Sequence, residues 1–137
     1  MDLATAEPTD IGHALRGIGL NLLCRDVRAT AGFLCDVLGL QVVRQSADFA
    51  IIRHDGMLMQ FHSDATFGAH PLLALLPDMP PRGAGAQIYL FGLDPDAVVA
   101  RADPDAVLER ARDKPHGLRE ATVLSPDGYA LTVARRI

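Results

Sequence analysis

The sequence predicts an α+β fold of two βαβββ modules joined side by side, their strands forming a curved mixed sheet with helices on its outer face and a cup inside. Three observations predict it. Apolar and polar residues alternate with period two in short runs along the chain. A stretch of helical spacing follows the first such run in each half. The remaining runs are separated by turns too short for anything but antiparallel hairpins.

The first run is Gly17 to Cys24, in which Ile18, Leu20, Leu22 and Cys24 share one face and Gly19 and Asn21 the other. A strand with one apolar side is expected. Next, Phe33, Val37 and Leu38 recur at helical spacing until Gly39 stops the run, so a helix should cover that side. Three extended runs follow, LQVVRQ, DFAIIRH and GMLMQFHS, broken at Ser46-Ala47-Asp48 and His54-Asp55-Gly56. In the third, Met57, Met59 and Phe61 face one way and Leu58, Gln60 and His62 the other.

Residues 65–84 are rich in Pro, Gly and Ala and read as a linker, with an apolar island from Leu72 to Leu76 forming a helical turn or an edge segment. Module one then spans 17–64 and module two 85–137, and residues 1–16 read as a flexible N-terminal arm. Module two opens with Ile88 and Leu90 alternating against Gln87, Tyr89 and Phe91. Asp94 and Pro95 then start a helix to about Ala102 as N-cap and first helical residue. The repeat DPDAVVARA, DPDAVLERA admits two readings of its second copy: another helix, or a turn and a strand from Val107 to Arg110. Pro104 favours a break near Asp103, because the residue before proline avoids the helical region. REATVLS, the turn Pro126-Asp127-Gly128 and the alternation from Tyr129 to Ala134 close the chain as a hairpin.

Composition narrows the function. The 137 residues fit one domain, 49% hydrophobic and 22% charged. A formal net charge of -4, with Arg135 and Arg136 as the only basic tip, argues against a nucleic-acid partner. No apolar stretch approaches a membrane span, and the N-terminus has no signal-peptide core. Cys24 and Cys35 do not make a disulfide framework and both read as buried thiols of a cytoplasmic protein. A nucleophile elbow, a phosphate-binding glycine loop and a C-x-x-C pair are all missing.

LNLLCRDV followed by AGFLCDVLGL, and later DKPHGLRE followed by SPDGYALTV, resemble the ordered motifs of the vicinal oxygen chelate superfamily, the glyoxalase, bleomycin-resistance and extradiol-dioxygenase group. The resemblance spans roughly residues 17–134 and is nearest to the bleomycin-resistance-like branch. Leu34 stands in place of that family's tyrosine and His116 in place of its tryptophan. The resemblance implies a strand between the second helix and the Pro115-His116-Gly117 turn, and it implies a homodimer. It also places the family's metal-ligand positions at Gly19, Gln60, Gln87 and Thr132. Glycine has no side-chain donor, and glutamine and threonine are weak neutral donors, whereas such sites use His, Cys or carboxylate.

Face alternation alone puts Gly19, Asn21, Leu58, Gln60, His62, Gln87, Tyr89 and Thr132 away from the helix-packed faces, where they would line one small-molecule cavity. An ordinary solvated sheet face is the competing reading. His62 reads as a base, a hydrogen-bond donor or a displaced metal ligand, or else a surface residue at a strand end. His116 reads as a wall of the pocket or an exposed turn residue. Arg119 and Glu120 either pair structurally or reach toward a ligand, and Asp26 and Asp127 read as turn residues. His13, His54 and His70 are assigned no chemistry. The absence of acidic side chains from the expected cup argues against a cationic glycopeptide such as bleomycin.

The leading expectation is a protein that binds a small organic molecule in a metal-free cup, for sequestration or resistance, with no cofactor and with a weakly held divalent ion left open. A divergent metal-dependent lyase, isomerase or dioxygenase, with His62 as base, is the alternative. A non-catalytic dimerisation module is the third reading.

Overall fold

A computed structural model describes every residue from Met1 to Ile137. After an N-terminal helix α1 (Pro8–Ala14), module one runs β1 (Asn21–Cys24), α2 (Val27–Asp36), β2 (Gln41–Gln45), β3 (Phe49–His54) and β4 (Met57–Ser63). Module two repeats the order with β5 (Ile88–Phe91), α3 (Pro95–Arg101), β6 (Val107–Asp113), β7 (Leu118–Leu124) and β8 (Ala130–Arg136). The α+β class and the doubled βαβββ grammar are as expected. Short 3-10 turns at Asp64–Phe67 and Pro71–Leu75 occupy the linker, and another at Pro104–Ala106 precedes β6. The second copy of the repeat is therefore turn and strand.

The strands form two separate four-stranded sheets, β1-β4-β3-β2 and β5-β8-β7-β6, which do not close into a barrel. Each has one parallel pair, β1 with β4 and β5 with β8, and is otherwise antiparallel. Parallel neighbours require a crossover, and α2 and α3 lie within those crossovers. Local chemistry sets the ends. Asp26 accepts from the amides of Arg28 and Ala29, and Asp94 from that of Asp96, each capping its helix. Asp55 and Gly56 have φ of 47° and 77°, as a two-residue hairpin between twisted strands requires.

The helix-side faces of both sheets feed one core. Leu34, Leu38, Ile52, Met59 and Phe61 of module one and Val98, Val123, Leu131 and Val133 of module two belong to a single buried cluster. Arg101 Nε donates to the Val37 carbonyl at 2.9 Å, so α2 and α3 meet at their C-terminal ends. A second joint ties the end of β1 to the hairpin between β7 and β8. There the Leu23 carbonyl accepts from Tyr129 Oη (2.8 Å) and from Arg82 Nη1 (3.2 Å).

Two expectations change. The first strand is shorter than Gly17 to Cys24: residues 17–20 precede β1, and Ile18 is 93% exposed instead of facing the helix. Nor are residues 1–16 a loose arm, since α1 lies within them and Leu3 and Ile11 pack on Ile51. Ile51 pairs with Gln60 across β3 and β4, so this packing covers part of the face that the sequence assigned to the cup. Arg44 holds the arm there by donating to the Ala6 carbonyl at 2.7 Å. No helix is long and apolar enough to cross a membrane.

Candidate functional site

Each sheet has a face opposite its helix, and most of the candidate residues divide between the two. On the first sheet, Gly19, Leu58 and Gln60 line a hollow of about 370 Å³ with the segment from Ala14 to Leu20. Beside it, Asn21 pairs with Gln60 and Leu23 with His62 in the β1–β4 ladder, which places the Asn21 and His62 side chains on that face. His62 Nδ1 lies 2.6 Å from Asn21 Oδ1, and the ring stacks on Phe49 and leans on Phe67. Burial lowers its pKa below the usual 6.5, so the neutral ring is favoured. A neutral imidazole fixed by an amide and two aromatic rings has the surroundings of a packing residue.

The second sheet carries a connected polar row. Gln87 Nε2 donates to Thr132 Oγ1 at 2.8 Å, and the Thr132 and Thr122 hydroxyls pair at 2.7 Å. Two residues along β7 from Thr122 stands Glu120, 4% exposed. Its carboxylate accepts from Tyr89 Oη at 3.1 Å and from His116 Nε2 at 2.6 Å. Tyr89 stacks on Phe91, ring planes 9° apart. Desolvation, and then the bond to Glu120 and its charge, hold the Tyr89 phenol above its ordinary pKa. Nε2–H is committed to Glu120, and the His116 side chain is half exposed.

Gln87, Tyr89, His116 and Thr132 are thus brought together, as are Gly19, Leu58 and Gln60, and Asn21 with His62. The hydrogen bonds of each polar face stay within its own sheet, while Leu58 and Tyr89, from different sheets, border one groove. The ladders put Asn21 beside Gln60 and Tyr89 beside Thr132, as the period-two rule expects, whereas Gly19 and Gln87 precede their strands; the rule is silent on how two faces are arranged in space.

Sequence reasoning missed Glu120 as the centre of the second face. Its neighbour Arg119 turns to the helix side, where it forks onto Asp96 (2.7 and 2.8 Å) and reaches Asp113 (3.0 Å), so the two do not pair with each other. The signal was present: Glu120 and Thr122 are two apart, and Thr122 opposes Thr132. Glu120 also removes the argument that the cup is free of acidic groups. Asp127, read as a turn residue, is buried and lies 2.8 Å from Arg25 and 3.9 Å from Arg82.

The donors at the family ligand positions do not fit a divalent metal. Gly19 offers no side chain, Thr132 Oγ1 is engaged by Gln87 and Thr122, and Gln60 belongs to the other sheet. No group of three or more His, Cys, Asp or Glu side chains is placed to hold an ion. Neutral amide and hydroxyl oxygens return too little for stripping water from a dication.

No family model matches the sequence, and no curated protein matches it. Solved structures do. A glyoxalase-related enzyme from Fulvimarina pelagi is 17% identical with a TM-score of 0.67, covering 89% of each chain. A glyoxalase/bleomycin resistance protein/dioxygenase family enzyme from Burkholderia phytofirmans PsJN is 16% identical with a TM-score of 0.66, over 86% of this chain and 96% of that one. A glyoxalase/bleomycin resistance protein/dioxygenase from Nocardioides is 16% identical with a TM-score of 0.64, over 94% and 89%. At these identities the likeness is one of fold: the chain has the paired-module architecture of proteins carrying those names.

Proposed function

We propose that this chain, with the fold of the glyoxalase, bleomycin-resistance and dioxygenase proteins, binds a small organic molecule at the polar face of its second sheet, without a divalent metal, for sequestration or resistance. The observation that carries this reading is the polar row from Gln87 through Thr132 and Thr122, set beside Tyr89, Glu120 and His116. Fixed amide, hydroxyl and carboxylate groups next to a stacked aromatic pair are what orient a small ligand. The first sheet's face is the weaker candidate because the chain's own Leu3 and Ile11 cover part of it.

A homodimer belongs to the same proposal. The polar faces lie opposite α2 and α3, and those helices meet within one chain, so a second copy supplies the wall that the face of module two lacks. The partners proposed are one small ligand and one further copy, with no nucleic acid and no membrane, in the cytoplasm.

One observation favours a second reading. His116 oriented by the buried Glu120 is the arrangement of a general base, and it moves the acid–base candidate from His62 to His116.

The test is a thermal-shift screen of purified protein against a panel of small organic molecules, with light scattering for mass and elemental analysis for metal. A hit whose stabilisation is lost in Thr132→Val and in His116→Ala, on a metal-free dimer, is expected. One divalent ion per chain, or hits indifferent to both substitutions, would show the reading to be wrong. Turnover of a hit that vanishes in His116→Ala and survives in His62→Ala would establish the catalytic reading.

A further inference from the structure

The two modules meet at two corresponding joints, and only one is filled. The ladders equate Gln60 with Thr132 and Asn21 with Tyr89, hence Leu23 with Phe91 and, at the hairpins, Met57 with Tyr129. At the filled joint the Tyr129 ring, 7% exposed, sits against the end of β1 and its hydroxyl donates to the Leu23 carbonyl. The linker seals it: Arg82 reaches the same carbonyl, and a Cβ added to Gly128 would stand 2.6 Å from Pro81 Cα.

At the other joint the corresponding carbonyl, that of Phe91, accepts from His54 Nε2 at 2.6 Å. Met57, in Tyr129's position, is 70% exposed. A groove of about 360 Å³ remains where the phenol ring lies in the other half. It is lined by Ile52, Met59, Ile88 and Leu90 from the helix-side faces, with Leu58 and Tyr89 at its border, and lies within the roughly 300–1,000 Å³ span of small-molecule sites.

We propose that this groove is a binding site for a small aromatic molecule carrying a hydroxyl group, seated as the Tyr129 side chain is seated in the other joint. The aromatic body replaces water on the apolar walls. Its hydroxyl donates its one proton to either of two acceptors, the second lone pair of the Phe91 carbonyl or the Nδ1 of His54, whose Nε2–H is already committed. A hydroxyl-free arene displaces water from these acceptors and returns no hydrogen bond, so the site selects for the donor. The inference does not rest on the proposed function: Tyr89 borders both sites, but the polar row involves neither His54 nor Met57.

The experiment titrates 1-naphthol, with naphthalene as control, into full-length protein labelled at the methionine methyls. Of the four methionines, Met57 and Met59 line the groove, and Met1 and Met79 do not. Saturable shifts confined to Met57 and Met59 are expected, with naphthalene binding roughly tenfold more weakly. Met57→Tyr, which fills the groove as Tyr129 fills its own joint, should abolish them. Ile88→Trp does the same from the opposite wall should the tyrosine mispack, and Thr132→Val should leave them unchanged. Equal affinity for naphthalene, shifts at all four methyls, or no saturable shift would overturn the proposal. So would loss of the dimer in Met57→Tyr without naphthol binding in the parent, which would assign the groove to a second copy.

Discussion

Tyr129 Oη donates to the carbonyl of Leu23 at 2.8 Å across 106 residues of sequence, in a buried joint that also holds Arg82. Tyr129→Phe removes one of two donors to that oxygen and is expected to cost about 1 kcal/mol. Arg82→Met strips the guanidinium from the buried Asp127 and from the fork onto Asp64, and is expected to cost about 3 kcal/mol. Urea unfolding of both variants checks the order; equal losses would mean that the ion pairs add nothing to the joint.

Burial holds the His62 imidazole below its ordinary pKa of 6.5, so the unfolded chain takes up that proton more readily than the folded one. Stability at this group is fully present above the unfolded pKa, falls as pH drops through 6.5, and levels off below the folded value. His62→Gln should therefore show a shallower loss of stability than wild type between neutral pH and about pH 5. Parallel curves in that window would remove His62 as a source of the pH dependence.

Cys24 is fully buried and its thiol is pushed up to about 11 by burial, whereas Cys35 is exposed on α2. A thiol reagent at about pH 8 should label one cysteine rapidly and the second only as the protein unfolds, because the thiolate is the reactive form. The rapid phase should vanish in Cys35→Ser. Rapid labelling of both would contradict the packing of β1.

Thr132→Val leaves the Gln87 amide and the Thr122 hydroxyl without their partner and is expected to cost about 1–2 kcal/mol. Thr122→Val in the same background should cost less than it does alone, since the unpaired hydroxyl goes with it. A double-mutant cycle reads the difference, and strict additivity would mean that the two hydroxyls do not interact.

Much of the fold was legible because its rules are local. Asp94 and Pro95 announce α3, Asp55-Gly56 announces the β3–β4 turn, and alternation gives Gln60, Tyr89 and Thr132 their faces. The resemblance settled β6, where the repeat alone left two readings. Ile18 misled because the alternation begins before the first residue of β1; a strand's length is set by its neighbour, and the ladder with β4 begins at Asn21. The N-terminal segment misled for the converse reason: Leu3 and Ile11 are too few to show a pattern, and their place on Ile51 is chosen by a surface built dozens of residues later.

Sequence by itself determined the two βαβββ modules, the absence of strong ligands at Gly19, Gln60, Gln87 and Thr132, and the faces on which the candidate residues lie, because periodicity and residue chemistry act over a few positions. Only the tertiary structure decided that Glu120 centres the second face, that His62 is packed between aromatic rings, and that one joint is filled by Tyr129 while the other is open. Those outcomes depend on which distant segments meet, and a hydrogen bond or a packed ring stabilises a structure only after the whole chain has brought its two ends together.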